Sequence, residues 1–184
     1  MRIHRRLATI AFILQLSACV SVQQTVRADA APVPTAGYVA GSFTTDKGSA
    51  FGFGLVNTET GEDYVMPFGQ ERNMPSVRDN ELGMIQLPPG NYKIAYWVTY
   101  ATLTKQREVK KAIDNPVFGA PFTVAPGAVV FLGSFSTRTD FFPYRRAEWS
   151  FRANRISRRE AKDMFAKTYP RFADLPFSCR LCLP

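Results

Sequence analysis

The sequence predicts a mainly β protein, an antiparallel β-sandwich followed by one C-terminal α-helix. From residue 37 onward, short apolar or alternating runs are separated by Gly, Pro, Asn and Asp, which is typical of an all-β domain. Near residue 157 the apolar spacing changes to the helical period. The chain has 184 residues, of which 46% are hydrophobic, so the part after residue 36 is long enough for one domain with its own core.

The first 18 residues have the features of an export signal. Arg2, Arg5 and Arg6 form a positive head, and the apolar run 7–16 is shorter than the roughly 20 residues that a bilayer-crossing helix needs. The adjacent arginines leave the twin-arginine export route open, but the pattern that usually follows such a pair is absent, so the general route is favoured. We expect residues 1–18 to be removed.

The signal ends in the letters LSAC, with Cys19 last, and this ending resembles the lipobox of bacterial lipoproteins. The resemblance implies cleavage before Cys19, a diacylglycerol on its sulfur and an acylated amino terminus. Val20 stands where an Asp would imply retention in the inner membrane, so the resemblance implies a lipid anchor in the outer membrane and a domain that faces the periplasm. The alternative is an ordinary signal peptide with a buried thiol. Residues 19–36 have no sustained period, and we interpret them as a lipidated flexible tether.

The sole histidine, His4, lies inside the signal. The mature chain therefore has no histidine for a Ser-His or Cys-His nucleophile, for imidazole acid-base catalysis or for a histidine-containing zinc site. We expect a protein that is not an enzyme and that uses no cofactor or metal. The formal net charge is +8, and most of it belongs to residues 137–184, which carry 11 basic and 5 acidic residues.

The first predicted strands, 38–45 and 49–57, flank a polar turn and are interpreted as a hairpin. In the second of these strands three alternating side chains share one face, namely Phe51, Phe53 and Leu55. The glycines between them indicate close packing against another backbone.

A turn at 58–61 leads into a strand at 63–68, and the clearest hairpin follows at 82–100. Here Pro89 and Gly90 fit the central positions of a type II turn, which needs a negative and then a positive φ. After the turn, apolar residues alternate strictly and predict one core face: Tyr92, Ile94, Tyr96, Val98 and Tyr100.

The charged segment 105–115 is predicted to be an exposed loop or one helical turn. Two further strands, 118–124 and 128–136, bracket a turn of Ala, Pro and Gly. The second contains the continuous apolar run 129–132, which indicates a strand that is covered on both sides.

Two turn motifs carry a resemblance to a known family. The letters LPPGNY at 87–92 and the pattern F-x-V-x-P-G-x-x-V-F-L-G at 122–133 look like a recurring arrangement in uncharacterised bacterial lipoproteins. The β-sandwich of that family is similar to transthyretin-like or carboxypeptidase-regulatory-like modules. The resemblance covers about residues 37–136 and implies a fold rather than an activity, because the family has no catalytic residues to transfer onto this sequence.

The last predicted strand, 144–155, closes a β-sandwich domain that spans 37–156. A helix then begins at Ser157, whose spacing to Glu160 fits a capping box, and it ends at Tyr169 before a proline. Its apolar stripe predicts that 157–184, the helix and a Cys-containing tail, packs on the sandwich: Ala161, Met164, Phe165 and Thr168.

Cys179 and Cys182 form a C-x-x-C pair with three possible uses: a structural disulfide, a redox pair or half of a metal site. A redox pair usually opens a helix in a thioredoxin-like unit, which nothing in this sequence indicates. A zinc site would need two more ligands, and the mature chain has neither histidine nor a further free cysteine. Export favours a structural disulfide, and redox or intermolecular use stays open.

Basic residues of the last predicted strand and the helix can form one positive patch. The candidate binding residues are Arg146, Arg152, Arg155, Arg158, Arg159 and Lys162. Such a patch would attract lipid headgroups, lipopolysaccharide, a cell-wall polymer or an acidic protein. The alternative is a solvated face that is neutralised by neighbouring carboxylates. Nucleic acid is not expected at this location. The aromatic segment 141–144 is either a binding loop or a cap on the core.

These features predict a lipid-anchored, non-enzymatic binding or structural component of the bacterial cell envelope, such as an accessory subunit of an envelope complex. One alternative is an immunity or inhibitor lipoprotein that blocks a toxin or a cell-wall enzyme. Another is a periplasmic thiol oxidoreductase that uses Cys179 and Cys182.

Overall fold

A computed structural model of the chain describes residues 21–46, 49–68, 79–101, 107–140 and 148–183. These residues form eleven strands and few helices, so the protein is mainly β, as predicted. None of the helices in these ranges is long and apolar enough to cross a bilayer. The strands are β1 (Ser21–Val22), β2 (Gly37–Asp46), β3 (Ser49–Asn57), β4 (Asp63–Phe68), β5 (Asp79–Leu87), β6 (Gly90–Ala101), β7 (Arg107–Ala112), β8 (Phe122–Val124), β9 (Val129–Asp140), β10 (Glu148–Asn154) and β11 (Phe177–Cys179), and the helices are α1 (Pro116–Gly119), α2 (Arg158–Thr168) and a 3₁₀ turn (Pro170–Phe172).

The strands form two sheets that face each other. Sheet A has the order β1-β4-β3-β6-β7, with β8 beside the start of β6. Sheet B has the order β10-β9-β2-β5, with β11 beside the start of β9. Pairs of these strands are antiparallel except β1 with β4, β2 with β9 and β11 with β9, which are parallel. The architecture is a β-sandwich, and its sheets are mixed.

The core between the sheets consists of side chains that alternate along both of them, and it confirms the predicted apolar face of β3. Its buried members are Val39, Phe43, Ile85, Leu87, Val130, Leu132 and Phe135 from sheet B, and Phe51, Phe53, Leu55, Met66, Phe68, Tyr92, Ile94, Trp97 and Val124 from sheet A and β8.

A second apolar cluster covers the outer face of sheet B. Val129 and Phe131 belong to it together with Ala161 and Phe165 of α2, whereas Val130 and Leu132 belong to the core. The apolar run 129–132 is therefore buried on both sides, as predicted. The helix supplies the second cover, which explains why this run has no polar residues.

A bulge in β6 reverses the alternation of its side chains. The pairing with β3 shifts because Ala95 is an extra residue between Ile94 and Tyr96. Trp97 consequently joins the core, whereas Tyr96 lies on the outer face of sheet A. The strict alternation predicted for 92–100 is thus wrong beyond Ile94.

The predicted close approach to a backbone is found at Gly52, where a Cβ would lie 3.0 Å from Met66 O. At Gly54 the close neighbour is instead a side chain, because a Cβ would collide with the Tyr96 ring.

A second bulge interrupts β9 where it pairs with β2. Gly41 stands opposite both Leu132 and Gly133, and Gly133 has a φ of 143°, which favours glycine. As a result Leu132 and Phe135 both face the core, although they are three residues apart.

Both predicted long hairpins are wrong, because each joins strands of different sheets. β2 pairs with β5 and β9 in sheet B, while β3 lies in sheet A. The chain likewise crosses from β5 to β6 between Leu87 and Gly90. The φ of Gly90 is not positive, so no type II turn forms there, and a Cβ on Gly90 would lie 2.9 Å from Asn57 Nδ2. Turn residues specify where a chain reverses but not which strands then pair.

Two predictions between 105 and 124 are also corrected. The charged segment contains β7, which pairs antiparallel with β6. The predicted strand 118–124 is limited to Phe122–Val124, because Asn115 caps α1: its Oδ1 accepts from the backbone N–H of Val117 at 2.9 Å and of Phe118 at 3.3 Å. A capping side chain followed by a proline starts a helical turn in place of a strand.

The described part of the predicted tether, 21–36, lies on the sandwich. Ser21–Val22 forms β1 beside β4, and the backbone N–H of Gln23 donates to Val65 O at 3.0 Å. Further along, the N–H of Val26 donates to Met84 O of β5 at 2.7 Å. The flexible tether is not observed here, because β4 and β5 are edge strands whose free backbone groups pair with this segment.

Candidate functional site

Helix α2 begins beside the end of β10 with the predicted capping box. The hydroxyl of Ser157 accepts from the backbone N–H of Glu160 at 3.2 Å, and the Glu160 carboxylate accepts from the backbone N–H and the hydroxyl of Ser157, both at 2.8 Å. These bonds, the backbone bond first, lower the pKa of Glu160 below its usual value. The carboxylate of Glu160 is thus occupied by the helix cap.

The apolar stripe of α2 fixes which side chains face outward. Ala161 and Phe165 are buried against sheet B, and the Tyr169 hydroxyl at the helix end donates to Leu82 O of β5 at 3.4 Å. The helix therefore crosses the outer face of sheet B from the β10 edge toward the β5 edge. Met164, Ala166 and Thr168 are partly buried, and the other positions, including Arg159 and Lys162, are exposed.

Strand β10 places Arg152 on the same outer side of sheet B. Phe151 packs into the core, with its ring centroid 5.3 Å from that of Phe53, so Arg152 points the other way. Asn154, two residues on, accepts from the Ser136 hydroxyl at 2.9 Å and donates to that of Ser134 at 3.2 Å. Arg152 and Arg155 are exposed at this edge, next to the start of α2.

We define the basic face by its described members, Arg152, Arg155, Arg158, Arg159 and Lys162; Arg146 lies outside the described residues. Arg158 Nη2 donates to Phe177 O at 2.9 Å, so Arg158 also holds α2 to β11. Arg159 Nε lies 3.9 Å from Asp163 Oδ2, but both side chains are more than 70% exposed, and such pairs contribute little. Within the described ranges, Arg152, Arg155 and Lys162 have no ion pair or hydrogen bond.

A shallow groove of about 440 Å³ lies on this face, and Ser157, Arg158, Arg159, Lys162 and Asp163 line it. From residue 148 to residue 171 the chain carries seven basic and three acidic residues, and Glu160 is engaged by the cap. The predicted neutralisation by neighbouring carboxylates is therefore partial. Chemically, the groove offers two guanidinium groups and one ammonium to a carboxylate, phosphate or sulfate.

The sulfurs of Cys179 and Cys182 are bonded, with the two Cα atoms 5.6 Å apart. Cys179 ends β11, and both cysteines pack against the apolar cluster beneath α2. The pair therefore closes a tight loop at a strand end, and it does not open a helix. Among the described residues, no three His, Cys, Asp or Glu side chains come together as a metal site.

The disulfide loop holds a residue that the sequence did not single out, Arg180. Arg180 Nη2 donates to Val117 O at 2.8 Å and to Ala120 O at 2.6 Å, and the guanidinium lies 5.3 Å from the ring centroid of Phe122. Burial lowers its pKa from the usual value. Leu181, its neighbour, packs against the core. The one sequence signal for this role is the position of the arginine between two cysteines. The signal is not sufficient, because the acceptor carbonyls lie some 60 residues away in sequence.

The remaining predicted site residues lie outside the described residues. These are Cys19, the proposed lipidation site, and the aromatic segment 141–144.

No protein-family model matches the chain, and no curated protein matches it. Among solved structures, a leucine-rich repeat protein from Bacteroides thetaiotaomicron is similar over 58% of this chain, with 13% identity and a TM-score of 0.30. The alignment spans 14% of that protein's own length. A similarity at this level supports no statement about fold or function.

Proposed function

We propose that the chain is an exported, lipid-anchored, non-enzymatic binding component of the bacterial cell envelope, and that it contacts an acidic partner through the basic face. One observation carries the binding part of this proposal. Arg152, Arg155 and Lys162 are exposed cations without a partner in the described ranges, and they lie on a rigid support of strand and capped helix.

The position of the cations on α2 supports a role other than helix stability. Arg158 and Arg159 occupy the first turn, where the positive end of the helix dipole opposes each cation by about 0.3–1 kcal/mol. Local choices that oppose the stability of their own element are typical of functional positions.

The anchor part of the proposal rests on the sequence. The positive head, the short apolar run and Cys19 follow one another as in a lipoprotein signal, and the turn motifs resemble envelope lipoproteins with a transthyretin-like sandwich. Membership of that family, the outer-membrane location and the bonded acyl groups are all part of the proposal.

Two measurements test these parts separately. Intact mass spectrometry of protein from its native envelope, beside a Cys19→Ala variant, is expected to find the mass of an acylated Cys19 only in the former. A photoreactive residue at Lys162 is expected to cross-link one envelope component, whereas the same residue at Lys93, exposed on the outer face of sheet A, is not. Equal cross-linking at both positions would contradict a binding role of the basic face.

The cross-linked component also distinguishes the two alternatives. A toxin or cell-wall enzyme that loses activity when this protein is added would identify an inhibitor. A thiol oxidoreductase would need accessible, reactive cysteines, and the half-buried disulfide at the end of β11 does not favour this use. We therefore expect Cys179→Ser/Cys182→Ser to leave cross-linking at Lys162 unchanged.

A further inference from the structure

Most edge strands of the sandwich are covered by the chain itself or carry many charges. β1 pairs with β4, and the backbone N–H of Val26 donates to Met84 O of β5 at 2.7 Å. At the outer side of β11, Arg158 Nη2 donates to Phe177 O at 2.9 Å. In β7 four of the six residues are charged, and charged side chains oppose the pairing of an edge strand with another chain.

Strand β10 is an edge of sheet B that has neither protection within the described ranges. It pairs with β9 on one side, and no described group bonds to its other side, which we call the open edge. Two of its seven residues are charged, Glu148 and Arg152. Ser150, Arg152 and Ala153 are exposed, and Phe151 is half-buried. An unpaired edge of this kind can accept a further strand.

The backbone bonds of β9 show which of its residues point toward β10. β2 pairs with β9 along its length, so β10 and β11 share the other side of β9. On that side the N–H of Val129 donates to Pro176 O at 2.8 Å, and Phe131 O accepts from the N–H of Arg180 at 2.9 Å. Val129 and Phe131 have their side chains on the outer face of sheet B. Residues of β9 with outer side chains therefore direct their backbone groups to the side of β10.

The same alternation identifies the free backbone groups of β10. Beyond the bulge in β9, Phe135 faces the core, so Ser136 lies on the outer face and directs its backbone groups to Arg152, which stands opposite it. Opposite residues of an antiparallel pair alternate between bonded and non-bonded pairs. The backbone groups of Arg152 thus bond to β9, whereas those of Phe151 and Ala153 point to the open edge.

A strand that adds at the open edge has one face beside basic residues and the other beside the core. Side chains on its outer face lie next to Arg152, and β10 leads on to Arg155 and the groove at the start of α2. Side chains on its inner face lie next to the exposed Ala153 and the half-buried Phe151. Because side chains alternate along a strand, the segment that fits has acidic and apolar residues in alternation.

From these observations, and resting on the proposed binding role of the basic face, we propose that the acidic partner binds by strand addition. An extended segment of a partner protein, with alternating acidic and apolar residues, pairs with the open edge of β10. The backbone hydrogen bonds provide affinity, and Arg152 and Arg155 select the acidic side chains. The partner is then a protein, because neither a polysaccharide nor a lipid surface can continue a β-sheet.

A synthetic peptide tests strand addition directly. The probe is a capped peptide of about eight residues that alternates Val and Glu, and its control replaces each Val by Pro, which keeps the charge but removes N–H groups from the ladder. We expect the mature protein to bind the Val-Glu peptide, as measured by fluorescence anisotropy, and the amides of Phe151 and Ala153 then to exchange hydrogen more slowly. Absence of binding, or equal binding of the Pro-Glu peptide, would overturn the proposal.

Two alanines provide matched variants. Ala153→Pro removes an N–H from the open edge of β10, and Ala112→Pro removes one from the edge of β7; both alanines are exposed. The N–H of Ile113 donates to Ala95 O of β6 at 3.0 Å, so the N–H of Ala112 points away from β6. We expect Ala153→Pro to weaken binding of the Val-Glu peptide by about tenfold or more and Ala112→Pro to leave it unchanged. Urea midpoints check that both variants fold, and equal affinities would contradict strand addition.

The partner from the native envelope separates failure of this inference from failure of the proposed function. If Arg155→Glu/Lys162→Glu loses the partner and Ala153→Pro retains it, the basic face is a binding site and strand addition is wrong. If both variants retain it, both proposals are wrong. A wild-type dimer in light scattering that Ala153→Pro converts to a monomer would assign the open edge to a second copy of the chain, which is also contrary to the proposal.

Discussion

At the scale of single residues, Arg180 joins the two sheets at the edge opposite the N-terminal segment. It extends from the end of β11 in sheet B, and its acceptors, Val117 O and Ala120 O, lie in and after α1 beside sheet A. A charged donor with two carbonyl acceptors contributes more than a neutral hydrogen bond. Arg180 therefore has a structural role, unlike the exposed arginines of the basic face.

Replacement of Arg180 should be costly for this reason. We expect Arg180→Met to lower the free energy of unfolding by about 1–3 kcal/mol, because two carbonyl oxygens lose their donor. Arg155→Met, at an exposed position without a hydrogen bond or ion pair in the described part of the chain, should change it by less than about 0.5 kcal/mol. Urea unfolding of both variants provides the comparison. Equal stabilities of Arg180→Met and Arg155→Met would contradict this role of Arg180.

The capping box of α2 predicts a pH dependence of stability. Because the folded pKa of Glu160 lies below its ordinary value of 4.5, its contribution is present above that pH and is lost as the pH falls through the folded pKa. In Glu160→Gln this part of the pH dependence should disappear, and Ser157→Ala should cost about 1 kcal/mol at neutral pH. Urea midpoints measured from about pH 7 to about pH 3 test both expectations. If the urea midpoint of Glu160→Gln changes with pH in the same way as that of the wild type, the assigned role of Glu160 is wrong.

At the scale of elements, the sequence predicted those whose determinants are local. Helix α2 follows from Ser157, Glu160 and an apolar stripe within eleven residues, and the structure confirms its cap and its buried side. The run 129–132 was also predicted to be covered on both sides. For both α2 and the run 129–132, the residue pattern within the element was sufficient to predict which sides are buried.

Strand pairing could not be predicted in the same way, because it depends on distant partners. β2 and β3 are neighbours in sequence, but β2 pairs with β9, about 90 residues away. A single extra residue, Ala95, moves Trp97 into the core and Tyr96 out of it. Neither the pairing of β2 with β9 nor the bulge at Ala95 can be detected from the composition or the alternation of a single sequence.

The N-terminal segment 21–36 pairs with β4 and β5, although the sequence predicts a flexible tether. Val26→Pro should be less stable than Val26→Ala by about 1 kcal/mol, because proline removes the N–H that donates to Met84 O in addition to the side chain. A flexible tether predicts equal stability for the two variants. Urea unfolding distinguishes these outcomes.

At the scale of the whole molecule, the N-terminal segment and the disulfide loop lie at opposite edges of the sandwich. The segment 21–26 follows the edges of β4 and β5, and the disulfide loop connects β11 with α1 at the other side. The predicted disulfide and the predicted patch therefore meet near the start of α2, where Ser157 bridges Leu183. The sequence was sufficient to name the basic residues of the candidate site. It could not show where on the sandwich they lie, because their position depends on how β10 pairs.

The most direct test of binding through the basic face compares two charge reversals with the same net charge. Arg155→Glu/Lys162→Glu changes the basic face, and Lys93→Glu/Lys111→Glu changes exposed lysines of sheet A. Each lipidated variant is purified from its native envelope, and its partner is quantified by mass spectrometry against the wild type. We expect a loss of at least about tenfold, equivalent to about 1.4 kcal/mol, for the first variant and none for the second. Equal retention of the partner by both variants would contradict the proposed function of the basic face.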